Sequence, residues 1–194
     1  MPTRRDYRGP DGFMAMLGEA DAALDEGLEA GIHGLIDCVS RCLAVGGAGL
    51  MLADQHRVLR SSAASSAASR LLQTGQERLG AGPAIDSYER SAPVSSSDVR
   101  SDDRWPDLRY LLPNVPLHAV LATPVTLPEG PVGTLSVWRA ERGPWGLDEI
   151  TAVGSFARQA ASLLELAAHA ELRSVLLARL IRMLSPAAFS AGRS

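Results

Sequence analysis

From Leu79 to Trp138 the chain reads LGAGPAIDSYERSAPVSSSDVRSDDRWPDLRYLLPNVPLHAVLATPVTLPEGPVGTLSVW, and its local character changes every few residues. Pro83 suits the first turn of a helix that ends near Arg90. Pro93–Ser97 reads as a short strand, an Asp-Arg-Trp-Pro turn follows, and Trp105–Leu111 reads as a helical turn or two. His118–Leu127 and Pro131–Arg139 are β-branched and form a hairpin joined by Pro-Glu-Gly. None of these segments can bury a core alone. Their order suits a small domain that wraps one helix and several loops over a sheet and leaves a pocket between them. No residue in the stretch has the makings of a catalyst, so it points to a sensory or regulatory domain.

The flanks extend this plan. Met1–Gly12 carries Arg, Pro and Gly and is expected to be a mobile leader. Phe13–Leu43 has helical spacing, with Leu28, Ile32, Leu35, Val39 and Cys42 at alternating steps of four and three. Gly27, Gly31 and Gly34 weaken that helix by roughly 1 kcal/mol each relative to Ala, so it needs packing to persist. Gly46-Gly47 is expected to break it. Ala48–Ala53 then reads as a buried strand, Asp54-Gln55-His56 as a turn and Arg57–Ser62 as a returning strand. The second half of Ser61–Ser69 opens a helix capped near Ser65 or Ser66. From Leu147 a helix continues to about Leu184, on the order of 55 Å at ~1.5 Å per residue. That would overhang a domain of this size. Pro186 ends it, and 186–194 is expected to be a loose tail.

Composition removes several function classes. All 19 basic residues are Arg, which excludes a Schiff-base Lys, a Walker-type phosphate-binding Lys and a Ser-Lys dyad. A net charge of −3 gives no overall pull toward nucleic acid or acidic lipid. Leu117–Leu127 and Leu172–Leu184 are too short, or too interrupted by Arg, to span a bilayer. Two cysteines and no leader pattern suit a cytoplasmic protein. Cys38 and Cys42 stand four apart, one helical face without redox CxxC spacing, and are read as packing residues.

The order of elements from Ala20 to Leu166 resembles a GAF domain. The likeness rests on Gly80-Ala81-Gly82-Pro83, Pro93-Val94, Asp98-Val99, Asp102, Arg104-Trp105-Pro106, Thr123-Pro124-Val125 and Gly133-Thr134-Leu135. These are in the style of actinobacterial GAF domains that often precede an ANTAR RNA-binding domain. The resemblance implies an α+β fold, GAF/PAS-like, with helices packed on an antiparallel sheet and a long C-terminal helix. The domain would span 13–170, with 171–185 as a dimerising extension. Only Leu172–Ser194 follows the domain here, too little for an ANTAR module, so direct action on RNA is not expected. Family members that bind bilin or reduce methionine sulfoxide use pocket cysteines, whereas Ala84 follows the Gly-Pro pair here. Haem-binding members place a His where this chain has Asn114. No cofactor is therefore expected, and no metal.

The resemblance and the residue types together select a ligand-site set: Tyr88, Asp98, Arg104, Trp105, Leu108, His118 and Val120. Arg104 could pair an anion bidentately, or its loop of Asp98, Asp102, Asp103 and Asp107 could be stitched by local ion pairs. Trp105 could wall a pocket or dock its loop on the sheet. Tyr88 could aim inward or sit at the surface. His118 opens a hairpin strand near the presumed pocket. The four histidines lack metal-ligand spacing, and no Gly-x-Ser-x-Gly elbow exists.

Two functions compete. In the first, a small molecule binds between the sheet and the Pro83–Leu112 loops of a homodimer. The dimer would pair through Leu28, Ile32, Leu35, Val39, Leu172, Val175, Leu176 and Leu180. In the second, the pocket is vestigial, filled by Trp105, Leu108 and Leu121, and the fold presents a dimer or a docking helix to a regulatory protein partner.

Overall fold

Short apolar and β-branched runs bounded by turn residues make strands, and among the described residues they make five. The computed structural model describes residues 10–112 and 114–184. Side chains are described from 26 onward, except at 113, 171, 173–175 and beyond 176. Residues 31–163 form one compact unit; the described parts of 10–30 and 164–184 form another.

Helix α1 runs Pro10–Cys42, so it starts three residues before the expected Phe13 and takes in the end of the expected leader. Proline at a first helical position has the φ that a helix requires, which accounts for the early start. Residues 1–9 and 186–194 lie outside the described structure. The buried face of α1 within 31–42 is Ile32, Leu35, Ile36 and Val39, while Cys42 is exposed and Cys38 half-buried. A repeat averaging 3.5 drifts around a 3.6-residue helix, so Ile36 joins the stripe and Cys42 leaves it. The packing role expected for Cys42 is thus corrected. Gly31 faces Leu163 at 3.9 Å, but Gly27 and Gly34 meet nothing within 4 Å.

The chain leaves α1 at Ala44, whose φ of 49° is left-handed. Gly46 has a different job from the helix breaking expected of it. A Cβ there would lie 2.3 Å from the Trp138 ring. Only glycine lets the backbone pass over that indole.

Strand β1 is Gly47–Ala53 and β2 is Leu59–Ala64. The latter starts two residues after the expected Arg57 because Asp54 organises the turn. Its Oδ1 accepts from the backbone N–H groups of His56 and Val58 at 2.8 and 3.0 Å. Arg57 is thereby held at a φ of 63°, outside any strand. Helix α2, Ala67–Leu79, is capped by Ser66, whose side chain accepts from the Ser69 N–H, and closes on left-handed Gly80. Helix α3, Pro83–Arg90, has the expected bounds. Strand β3 is Val94–Ser96, and α4 shrinks to Leu108–Leu111, preceded by turns at Trp105 and Leu108.

Strands β4, Ala119–Leu127, and β5, Gly130–Arg139, pair antiparallel with Leu127 opposite Gly130. The loop is therefore Pro128-Glu129 alone. Helix α5 runs Leu147–Leu184, as expected. The sheet order is β2-β1-β5-β4-β3, antiparallel throughout.

Alternation divides the sheet into two faces. Met51, Val120, Ala122, Thr134, Ser136 and Trp138 share the side covered by α2, α3 and α4. Leu50, Leu121, Leu135 and Val137 share the other, each fully buried. The elements of this unit left to cover that side are α1 and α5, which bury Val39, Val153, Ala157 and Ala160. Each large apolar side chain so enclosed contributes about 1.5–3 kcal/mol. Among the described residues, no helix is long and apolar enough to cross a membrane.

Candidate functional site

Much of the space between the sheet and the 94–112 loops is occupied by side chains. Leu72, Val94, Val99, Trp105, Leu108, Leu112, Leu117, Val120 and Trp138 form one apolar cluster there. Trp105 is 3% exposed and Leu108 fully buried. The indole N–H of Trp105 reaches Asp86 at 3.3 Å, and the Arg104 guanidinium lies 4.2 Å above its ring. Trp105 thus docks its loop onto α3. Leu121 is buried too, but it points to the opposite face of the sheet and fills nothing here.

Arg104 is engaged by its own loop. Nε and Nη2 donate to the two oxygens of Asp102 at 2.9 and 2.7 Å, and Nη2 also reaches the Ser95 carbonyl. The guanidinium, with help from the Ser96 hydroxyl, holds the Asp102 carboxyl down to about 2. A folded value below the unfolded one of about 3.9 means stability present above pH 4 and lost as pH falls toward 2. Asp102→Asn should therefore flatten the fall in melting temperature between pH 4 and pH 2. An unchanged acid slope would show that the pair carries no linkage.

Asp98 and His118 meet at 3.0 Å, and Arg142 donates to the other Asp98 oxygen at 2.7 Å. Burial raises the Asp98 carboxyl, but hydrogen bonds from His118, the Arg100 N–H and Arg142 outweigh it and leave it lowered. This network ties the loop after β3 to the chain after β5. It is separate from the apolar cluster and from Tyr88, which packs with Met51, Leu59, Ala84 and Ala122. The seven expected ligand residues therefore divide into a core group (Trp105, Leu108, Val120), two polar networks (Arg104; Asp98 with His118) and Tyr88.

Of the seven, Tyr88 lines an open cavity. A groove of about 530 Å³ runs along α3 and is walled by Arg57 and Val58 of the β1–β2 turn, Ile85 and Glu89 of α3, and Pro131 of β5. Ile85, Tyr88 and Glu89 face it together because positions three and four apart share a helix side. The Tyr88 hydroxyl, the Arg57 guanidinium and the Glu89 carboxylate have no protein partner among the described residues. Among those residues no group of three His, Cys, Asp or Glu converges as a metal would require.

The architecture has relatives. A family model described as the GAF domain matches residues 20–165. The chain belongs to the GAF domain family. No curated protein matches it. Solved structures share the fold at low identity. A domain from Sinorhizobium meliloti 1021, ascribed to a two-component sensor histidine kinase, superposes with a TM-score of 0.62 at 16% identity, over 74% of this chain and 95% of that one. The GAF domain of a phosphoenolpyruvate-protein phosphotransferase from Coxiella burnetii gives 0.59 at 18%, over 84% and 98%. A type II free methionine-R-sulfoxide reductase from Thermoplasma acidophilum gives 0.58 at 15%, over 72% and 94%.

Within this GAF domain, β5 is locked to the start of α5. Arg139 donates to Glu149 at 2.8 Å and to the Pro144 carbonyl at 2.6 Å, and its guanidinium lies 4.3 Å over the Trp145 ring. Glu149 also accepts from the Gly146 N–H at 2.7 Å, capping the helix it begins. The groove was missed in the residue pattern because its walls come from four distant segments. The available signal was topological: with β1 antiparallel to β5, the β1–β2 and β4–β5 turns fall at the same end of the sheet.

Proposed function

We propose that this GAF domain is a non-catalytic regulatory module of signal transduction or transcriptional control, taking a small molecule in the groove beside α3. The carrying observation is that groove, whose size lies within the range of about 300–1,000 Å³ common for small-molecule sites. It also presents a phenol, a cation and a carboxylate that have no partner among the described residues. The kinship in fold with a domain ascribed to a sensor histidine kinase supports the sensory reading. A ligand acts by binding two arrangements of the chain with different affinity. Helix α3 packs on β5, and Arg139 joins β5 to α5, so α5 is the proposed output.

The proposed assembly is a homodimer. Ile32, Leu35 and Val39 are buried in the chain's own core, so the expected α1 contribution at those positions is withdrawn. Leu28 is half-buried. Leu172 and Leu176 remain, 56% and 50% exposed and one turn apart on α5. The side chains of Val175 and Leu180 lie outside the described residues. A pair of such stripes closes by two-fold symmetry.

Native mass spectrometry of the full chain, purified without denaturant, tests both parts. A dimer mass carrying a retained small molecule is expected, with the retained species diminished in Tyr88→Phe. A bare monomer would overturn the reading. The second reading, an interaction scaffold, is favoured by the Trp105 and Leu108 side chains that fill the interior. It expects a dimer that retains nothing.

A further inference from the structure

We infer that the groove beside α3 receives a free α-amino acid with an apolar side chain, bound as its zwitterion. The inference rests on the regulatory reading above and names its ligand class.

The charges around the groove are paired selectively. Arg60 holds Asp54 at 3.1 Å and Glu77 at 2.8 Å, and Arg90 holds Asp86 at 2.9 Å. Arg57 and Glu89 are chain neighbours of these groups and line one groove, yet pair neither with each other nor with any other described residue. The position of Arg57 is imposed. The two backbone bonds to Asp54 hold it in the left-handed region, as Ser91 is held at a φ of 50° on another wall. Strained backbone around an open cavity is a feature of ligand sites.

Besides Arg57, Glu89 and Tyr88 the groove is lined by Gly80, Ser91 and the apolar Val58, Leu59, Ile85 and Pro131. A simple anion would use Arg57 alone, and an acyl chain would use neither charge. A molecule with a carboxylate for Arg57, an ammonium for Glu89 and an apolar group for the floor uses all three. The Tyr88 hydroxyl supplies a further donor to the carboxylate.

Isothermal titration of the full chain with L-leucine, L-isoleucine, L-methionine and L-phenylalanine tests the inference. At least one should bind, and its N-acetyl and amide derivatives should each bind about tenfold or more weakly, as loss of a charged hydrogen bond requires. Arg57→Asn removes the cation while keeping a residue that tolerates left-handed backbone, and Glu89→Gln removes the carboxylate. The first should weaken the amino acid but leave its amide unchanged; the second should leave the N-acetyl derivative unchanged. Absence of binding by all four, or equal affinity for the N-acetyl form, overturns the inference. If a different retained mass is then still lost in Tyr88→Phe, the regulatory reading survives its failure. If nothing is retained either, both fall.

Discussion

Gly133→Ala should lower the melting temperature by about 6–12 °C. A Cβ at Gly133 would lie 2.3 Å from the Met51 carbonyl oxygen and 2.9 Å from Cδ2 of Leu52. The first of these is backbone in the strand next door, where Gly133 pairs with Leu52, and it cannot yield without breaking the ladder. On the other side Gly133 faces Val125, beside the register shift between Val125 and Thr126. Overpacking of a tight site costs about 1–3 kcal/mol, and the backbone clash puts this one at the upper end. For a chain of this size each kcal/mol corresponds to about 2–4 °C. Thermal denaturation followed by circular dichroism reads the change directly. A drop of less than about 2 °C would mean that β1 and β5 can separate locally, and that this part of the sheet is softer than its pairing implies.

Gln73→Leu should destabilise the fold by about 3 kcal/mol, although it exchanges a polar core residue for an apolar one of similar size. Gln73 is 2% exposed. Its amide donates to the carbonyls of Leu50 and Ala63, each at 3.0 Å, and its oxygen accepts from Ser61 at 2.6 Å. Leu50 and Ala63 are partners where the β1–β2 register shifts, with Ser62 as the extra residue. A bulge interrupts the ladder, and Gln73 reaches down from α2 to serve carbonyls there. Leucine leaves those acceptors buried without a donor, at about 1–3 kcal/mol each. Urea unfolding monitored by fluorescence would measure the loss. A change below about 1 kcal/mol would indicate that water takes over the two carbonyls.

Elements whose limits are set by local chemistry were legible in the residues. Pro83 at a helix start, Ser66 as a cap and the β-branched runs of β4 and β5 each act within a few positions of themselves. The early start of α1 was misread because Arg, Pro and Gly near a terminus look like leader, although Pro10 is compatible with a helix. The start of β2 was misplaced because one Asp54 side chain commits the following residues to a turn. Site residues were harder for a physical reason. Trp105 and Arg104 carry the same chemistry whether they face a ligand or each other, and only folding brings Asp86 and Asp102 to satisfy them. The groove needs Arg57, Glu89 and Pro131 together, and no short-range pattern connects positions so far apart.

The clamp at the start of α5 has an optical consequence. The chain holds three indoles, and each reports on a different place: Trp105 on the loop over α3, Trp138 beneath Gly46, and Trp145 under the Arg139 guanidinium. The third has a ring N–H with no hydrogen-bond partner among the described residues and a cation over its face, so its emission is sensitive to any parting of β5 from α5. With Trp105→Phe and Trp138→Phe, the remaining indole would make the joint between β5 and α5 visible by light alone, with no label attached.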